Sequence, residues 1–485
     1  GAVDNLIGIS KIGVECIFDT DFFIGGILMM GRKEDTQGKL EFIDIDALVP
    51  ENYILRKIQE KVDFSFIYTK MEKYYSPIGR KSIDPVILIK MLLVGYLFNI
   101  DSERKLELEV KLNVGYRWFL GLDLTDPVPD HSVFSQNRRR RFKDGKVFQE
   151  IFDHVVQLCI QDGLVTGEVM VTDSTHIKAS AAKDKVQKVE VTKTPSQYLN
   201  TLDEEAKKIE EELEKNRKEA GKMKRGRKPN EKNTQVKSVV TTDQDAGVLK
   251  RPGKPHGPHY LAHTTIDAAN GIIVDIHPTA GNMSDCEPYV ERLKVTKEKF
   301  NLKIQKAGAD RGYDTTQIHH GLTTLEITGY ISPTESNTAF TTTSYKDFTY
   351  DKAQDHYTCP NEKVLPFTHL AKTRNGNGNY VKTYAAKAKD CKVCPFRVNC
   401  FGQTASRRTI ARPIAHELLE ANAERAKTSE YKRVQKLRRV WCEGTFGTLK
   451  TKHNLYKTYK RGMEKILEQC LFSAMALNLK RLVKG

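Results

Sequence analysis

The chain has no apolar run long enough to cross a bilayer. Its longest, Ile87–Ile100, is broken by Lys90 and falls short of the roughly 20 residues a spanning helix needs. It also lacks a basic segment leading into an apolar run and a small-residue cleavage site, so no secretory signal is read. Methionine is missing until Met29 and Met30, and residues 1–29 are set aside as a leader or an extension of the reading frame. Nine cysteines in such a chain point to a reducing compartment, with free or metal-bound thiols in preference to disulfides. Acid is short too. With 62 Asp+Glu against 78 Lys+Arg the net charge is +16, which favours polyanionic partners, either nucleic acid or an anionic membrane surface.

At 39% hydrophobic and 29% charged, the chain is polar but foldable. Its 485 residues suggest about three domains at roughly 150 residues each. From Ile43 to about Leu164 the pattern is helical. Ser82-Ile-Asp-Pro85 reads as a helix start, Ser102 as a partial one, and Asp130-His-Ser132 as an N-cap before VFSQNRRRRF. The arginines Arg138, Arg139, Arg140 and Arg141 cannot all face one way on a helix. They read either as a solvated, ion-paired face or as DNA-backbone contacts.

Glu168–Thr172 is a short β-type run ending at Asp173. A charged excursion follows over residues 181–237, where Leu199, Leu202, Ala206, Ile209 and Leu213 form an a/d seam of only two heptads. It leads into Lys222–Pro229, whose Lys224, Arg225, Arg227 and Lys228 around a glycine resemble a minor-groove AT-hook; a basic linker is the alternative. Beyond it, Tyr260–Asp267 and Gly271–His277 read as a hairpin, 287–300 as a helix, and 303–309 and 327–332 as strands. Residues 333–413 have weak periodicity, and 414–484 are helical again. The fold class expected is α/β or α+β, interrupted by two insertions.

Three acids sit where chemistry is done. Asp173 and Asp310 each end a strand, and Glu443 lies in the helical stretch RRVWCEGTFGTLKTKH. Carboxylates at strand ends face the crevice where open sheets bind ligands, and three converging carboxylates call for divalent cations. A pair of Mg²⁺ ions there can activate a hydroxyl and stabilise the leaving oxygen of a phosphodiester.

The ordered motifs VTDSTHIKASA, YLAHTTIDAANGIIV, GADRGYDT, and RRVWCEGTFGTLKTKHNL with ALNLKRL resemble those of DDE transposases of bacterial insertion sequences. DHSVFSQNRRRRF resembles the helical N-terminal domain common in that group, and the likeness runs from about Phe42 to Leu482 outside the charged arm. It implies an RNase H-like mixed sheet flanked by helices, with Asp173, Asp310 and Glu443 as the metal-binding catalytic triad. Two Mg²⁺ ions, or Mn²⁺ in their place, are the implied cofactors. The family pattern also places Arg439 four residues before the glutamate and Lys450 seven after it, both as DNA contacts along one side of a helix. Its tyrosine is replaced here by Lys436. His176 and His263 are read as DNA contacts or as polar core groups. The implied partners are double-stranded DNA, as terminal inverted repeats and target, and a second copy in a homodimer or larger synapse. The implied location is the bacterial nucleoid, in the cytoplasm. A catalytically silent domesticated DNA-binding protein and an Mg-dependent endonuclease without strand transfer are the competing readings.

The expected parts are a leader (1–29), a helical DNA-binding domain (30–164), the first part of the catalytic core with its arm (165–335), a Cys-containing insertion (336–413) and a helical remainder carrying Glu443 (414–485). Within the insertion, Cys359, Cys391, Cys394 and Cys400 have the C…C-x₂-C-x₅-C spacing of a candidate zinc knuckle. An Fe–S cluster and plain buried thiols are the alternatives.

Overall fold

Asp84 accepts the amide of Val86, and Pro85 takes the first turn of a helix that is apolar on nearly every face. Such a helix must be buried all round, and Leu88–Leu97 are. Lys90 survives in that run because its ammonium donates to Gln59 Oε1 at 2.7 Å and to the Phe119 carbonyl at 3.0 Å. Burial pushes it down to about 8.

The computed structural model describes residues 44–484 except 77, 79–81, 143–144, 183–184, 193–206, 213, 216–218, 220–233, 251–255, 335–346 and 373–379. The leader, most of the a/d seam and the basic Lys222–Pro229 segment therefore lie outside the described residues.

The helical region comprises α1 Ile45–Leu48, α2 Ile54–Lys61, α3 Phe66–Met71, α4 Pro85–Leu97, α5 Glu103–Leu112, α6 Val114–Leu120, α7 Ser132–Arg140 and α8 Lys146–Gln161. The strands that follow are β1 Val169–Lys178, β2 Val186–Thr192, β3 Thr234–Val240, β4 Gly247–Leu249, β5 Gly257–Asp267 and β6 Ile273–Ala280. After α9 Tyr289–Lys299 comes β7 Lys306–Ala309, then α10 Thr316–Thr324 and β8 Thr328–Ile331.

β1 is antiparallel to β5 and parallel to β7; β5 is antiparallel to β6, and β7 is parallel to β8. The order β6-β5-β1-β7-β8, three antiparallel strands continued by two parallel ones, is the expected RNase H-like mixed sheet. β4 pairs with the start of β5 and β3 with β2, so the charged excursion begins and ends on a two-stranded extension of the same sheet.

The segment with weak periodicity folds as a second antiparallel sheet of β9 Thr349–Asp351, β10 His356–Thr358, β11 Val364–Lys372, β12 Tyr380–Ala385 and β13 Thr409–Pro413. Its core is small and separate: Phe348, Tyr357, Leu365, Tyr384 and Ile410 with Cys391 and Cys400. Two short helices, α11 Ala388–Lys392 and α12 Arg397–Cys400, lie between β12 and β13.

The chain closes with α13 His416–Arg425, α14 Ser429–Arg438, a π turn at Arg439–Glu443, α15 Gly444–Lys452 and α16 Met463–Leu482. α16 is the hub. Phe472 stacks on Tyr96 of α4 with centroids 5.5 Å apart and meets Phe148 of α8 edge-on at 5.6 Å. Its buried Asn478 both accepts from Ile273 N (2.9 Å) and donates to Ile273 O (2.8 Å), which satisfies the backbone of β6. The N-terminal helices and the sheet thus share one hydrophobic core running from Leu55 to Leu482.

Candidate active site

β1 is buried on both faces over Val169–Thr172, as a central strand must be. It does not stop at Asp173. Ser174–Lys178 continue the ladder because every residue to Lys178 finds a partner on β5, with Asp173 opposite Thr264 and Lys178 opposite His259. The first aspartate therefore stands within a strand, five residues short of its end, and not at a strand terminus as expected. Asp310 does follow a strand end. It leaves β7 and accepts the amide of Gly312 at 2.8 Å, capping the short turn Arg311–Tyr313.

The Asp173 carboxylate is half-buried and crowded. The Ser174 amide donates to its Oδ1 at 2.8 Å, and Arg438 Nη1 donates to its Oδ2 at 2.9 Å. Burial pushes it up to about 6; the Ser174 amide and Arg438 oppose this, while the charges of Asp310 and Asp285 add to it. Asp285 is a carboxylate that the motif reading passed over. The Ser174 hydroxyl donates to its Oδ1 at 2.7 Å, which fixes it beside the strand that carries Asp173.

The glutamate helix is seated by packing. A Cβ on Gly308 of β7 would lie 2.7 Å from Val434 Cγ1, so a glycine lets α14 lie directly on the sheet. Gln435 then donates to the carbonyls of Ala309 (2.9 Å) and Tyr330 (2.6 Å), tying α14 to the ends of β7 and β8. Farther along, the Trp441 indole donates to Ala268 O at 2.8 Å. Gly271 has φ +76°, and a Cβ there would overlap the Trp441 ring.

Between these anchors lies the π turn Arg439–Glu443. In a π turn the hydrogen-bonded partner is five residues away, not four. Arg438, five residues before Glu443, is the arginine that reaches Asp173, and Arg439 is exposed. The stretch from Arg439 to Lys450 is therefore not one regular α-helix: a π turn carries Arg439 to Glu443, and α15 carries Lys450. Cys442 is buried within the turn. Burial, then the charges of Asp173, Glu443 and Asp310, push its thiol far up, while Arg438 opposes them. That field comes from all three acids of the motif reading.

The remaining predicted residues divide. Arg138 is committed to an ion pair, with Nε 2.6 Å from Glu468 Oε2 and Nη2 2.6 Å from Glu103 Oε1. Arg141 lies over the Tyr75 ring at 4.4 Å and donates to Asn137, whereas Arg139 and Arg140 are exposed. Lys450 lines a cleft between α4, α5 and the segment after α15. Lys224, Arg225, Arg227 and Lys228 fall outside the described residues. His263 is a core group: its Nε2 meets Thr279 Oγ1 at 2.8 Å, and burial pushes it down to about 4.

In the second sheet, Lys363 N donates to Cys359 Sγ at 3.4 Å and Asn361 Nδ2 to Cys394 Sγ at 3.7 Å. The Cys359 turn is thus beside Cys394, while Cys391 and Cys400 sit in the adjoining core. Burial and then the neighbouring thiols Cys391, Cys394 and Cys359 push the Cys400 thiol up, with Arg408 opposing. Among the described residues, the His/Cys/Asp/Glu group with ligand atoms within 4.8 Å of one another is Glu107, Asp130 and His131. There Glu107 accepts from Lys111, His131 N and His131 Nδ1 at 2.6–2.9 Å, a satisfied cluster that fixes the start of α7. Neither the carboxylate triad nor the four thiols are drawn that close. No helix among the described residues is long and apolar enough to cross a membrane.

Comparison with known proteins adds two family models. Residues 43–140 match a transposase domain (DUF772), and residues 358–483, from the second sheet through Glu443 to α16, match a transposase DDE domain. No curated protein matches. Among solved structures, the synaptic complex of piggyBac transposase with hairpin DNA aligns over 89% of this chain and 74% of its own, at 10% identity and a TM-score of 0.33. The Mos1 mariner paired-end complex with Mn aligns over 53% and 60%, at 8% identity and a TM-score of 0.16. A transposase domain is thus matched on the N-terminal helices and a transposase DDE domain across the glutamate helix, as in a DDE transposase.

Proposed function

We propose that this transposase binds the terminal inverted repeats of an insertion sequence, cleaves phosphodiesters at the ends and joins the freed 3′-hydroxyls to target DNA. The observation that carries the reading is the crowding at Asp173. A half-buried carboxylate, raised further by Asp310 and Asp285, has Arg438 as its one ion-pair partner among the described residues. A donor set of that charge fits divalent cations. Asp173, Asp310 and Glu443 are the residues that would hold two Mg²⁺, with Mn²⁺ able to substitute. The ions, when bound, supply polarisation of the phosphodiester and charge stabilisation at the leaving oxygen.

The chain's own contribution is position. The Ser174 amide aims Asp173 Oδ1, the Gly312 amide holds Asp310, and Arg438 pairs with Asp173 Oδ2 and opposes the rise that burial imposes on it. Arg439, Arg139, Arg140 and Lys450 supply positive charge for the DNA backbone, with Lys224, Arg225, Arg227 and Lys228 as a further basic contact. Arg138 and Arg141 are assigned structural roles instead, because both are already engaged by their own neighbours. Two ends must be handled together, so a homodimer or larger synapse on double-stranded DNA, at the nucleoid, completes the reading.

The second sheet has a core of few residues, too few to be self-sufficient, and small folds of that kind are commonly stapled. Cys359, Cys391, Cys394 and Cys400 are proposed to hold one Zn²⁺ there. Metal analysis of protein purified without chelator tests this: one equivalent of zinc supports it, and none returns the thiols to packing.

The reaction is tested by incubating end-labelled DNA from the flanks of the coding sequence with the protein and Mg²⁺. Labelled ends joined to a target plasmid support the proposal. Cleavage without joining reduces it to an endonuclease, and binding without cleavage to a silent DNA-binding protein.

A further inference from the structure

Between α4, α5 and the segment that follows α15 lies an open cleft of about 900 Å³. Arg104, Arg139, Lys450, Lys457, Arg461 and Lys465 line it. Its two acids are already paired: Asp101 with Lys457 at 3.9 Å, and Glu103 with Arg138 at 2.6 Å and Lys460 at 3.9 Å. Arg104, Arg139 and Lys465 are exposed and have no acidic partner among the described residues. The cleft therefore carries a net positive charge.

Two aromatic rings stand in it. Tyr456 and Tyr459 are 61% and 59% exposed, although Tyr rings usually bury most of their area. Tyr459 is held in place, with Lys457 Nζ 4.6 Å from its ring centroid and its hydroxyl 3.4 Å from Asp101 Oδ2. Tyr456 is fixed through the backbone. Lys178 N donates to Tyr456 O at 3.1 Å and Thr458 N donates to Lys178 O at 2.9 Å, so this segment extends the sheet beside the end of β1. β1 is the strand that carries Asp173. The segment that carries the rings is thus hydrogen-bonded to the far end of the strand that carries the first aspartate.

Cationic walls with exposed aromatic rings suit a nucleic-acid strand whose bases are open to stacking; an intact duplex hides those faces. We propose, on the basis of the DNA-transposase reading, that this cleft takes an unpaired stretch of a DNA strand, with phosphates against Arg104, Arg139 and Lys465 and bases against Tyr456 and Tyr459. Five residues separate Asp173 from Lys178, roughly 17 Å of strand.

The test uses the full chain, without divalent metal, and three fluorescein-labelled probes: a 20-base-pair duplex, the same duplex with a five-nucleotide gap, and a 20-nucleotide thymidine strand. Fluorescence anisotropy should show the gapped duplex bound roughly tenfold more tightly than the intact one. Tyr456→Ala/Tyr459→Ala should abolish that preference and leave intact-duplex binding unchanged, while Tyr456→Phe/Tyr459→Phe should retain it. Arg104→Ala/Arg139→Ala should weaken all three probes. Equal binding of gapped and intact duplex by the wild type, or a preference that survives the alanine pair, overturns this proposal and leaves the transposase reading standing. A wild-type protein that binds none of the probes overturns both.

Discussion

Arg438 Nη1 lies 2.9 Å from Asp173 Oδ2, a cation from the glutamate helix set against a carboxylate on the central strand. Both side chains are largely buried, so the pair is shielded from salt. Any divalent ion that takes Asp173 as a ligand must displace this guanidinium or share the carboxylate with it.

Arg438→Gln is therefore expected to lower the Mg²⁺ concentration needed for half-maximal strand transfer. Removing a competing charge worth about 1 kcal/mol shifts it roughly fivefold. A Mg²⁺ titration of the variant against the wild type measures the shift.

The π turn accommodates one residue more than an α-helix would over the same anchors. Val440 is exposed within it, so deleting Val440 should leave the fold intact and restore an α-helical period. The side chains that the turn now presents, Arg439 to Glu443, then lose their present directions. Strand transfer should fall to background while the melting temperature drops only a few degrees, as followed by circular dichroism.

Gly271→Ala attacks the same helix from the hairpin. The site has φ +76°, and the new methyl overlaps the Trp441 ring. A loss of about 2–4 kcal/mol is expected in denaturant unfolding. Because Trp441 is two residues from Glu443, strand transfer should suffer beyond what the lost stability explains.

Glu468 is 2% exposed and joins Arg138 of α7 to Lys460. Burial raises its carboxyl, but the charges of Arg138 and Lys460 outweigh that and hold it at about 2. A carboxyl lowered on folding adds stability above its unfolded value near 4.5, and that stability is lost as pH falls towards about 2. Glu468→Gln should cost about 3 kcal/mol at pH 7 by leaving Arg138 short of a partner. It should also flatten the acid limb of stability below pH 4.5, measured by urea unfolding across pH.

Much of this was legible in the sequence, for identifiable reasons. The cap at Asp84-Pro85 and the apolar run after it specified a buried helix, and the hairpin around Ala268–Gly271 was marked by its turn. Asp310 was found because a strand of small residues ends just before it. Asp173 was found by its motif but misplaced at a strand end, since the polar Ser174–His176 stretch hides a ladder that β5 completes. The second sheet was invisible because its strands bury few residues, which leaves little alternation to read. Arg438 and Asp285 were missed because each depends on tertiary placement, one through a π turn and the other through the Ser174 hydroxyl. Neither leaves a period in the sequence.

The central claim is that Asp173, Asp310 and Glu443 together carry the chemistry. Its most direct test is strand transfer with Mg²⁺ by Asp173→Asn, Asp310→Asn and Glu443→Gln, each assayed beside end-DNA binding by the same preparation. The account predicts joined product at background for all three, with binding within about twofold of wild type. Wild-type levels of joining by any one of them would remove that residue from the site and contradict the account.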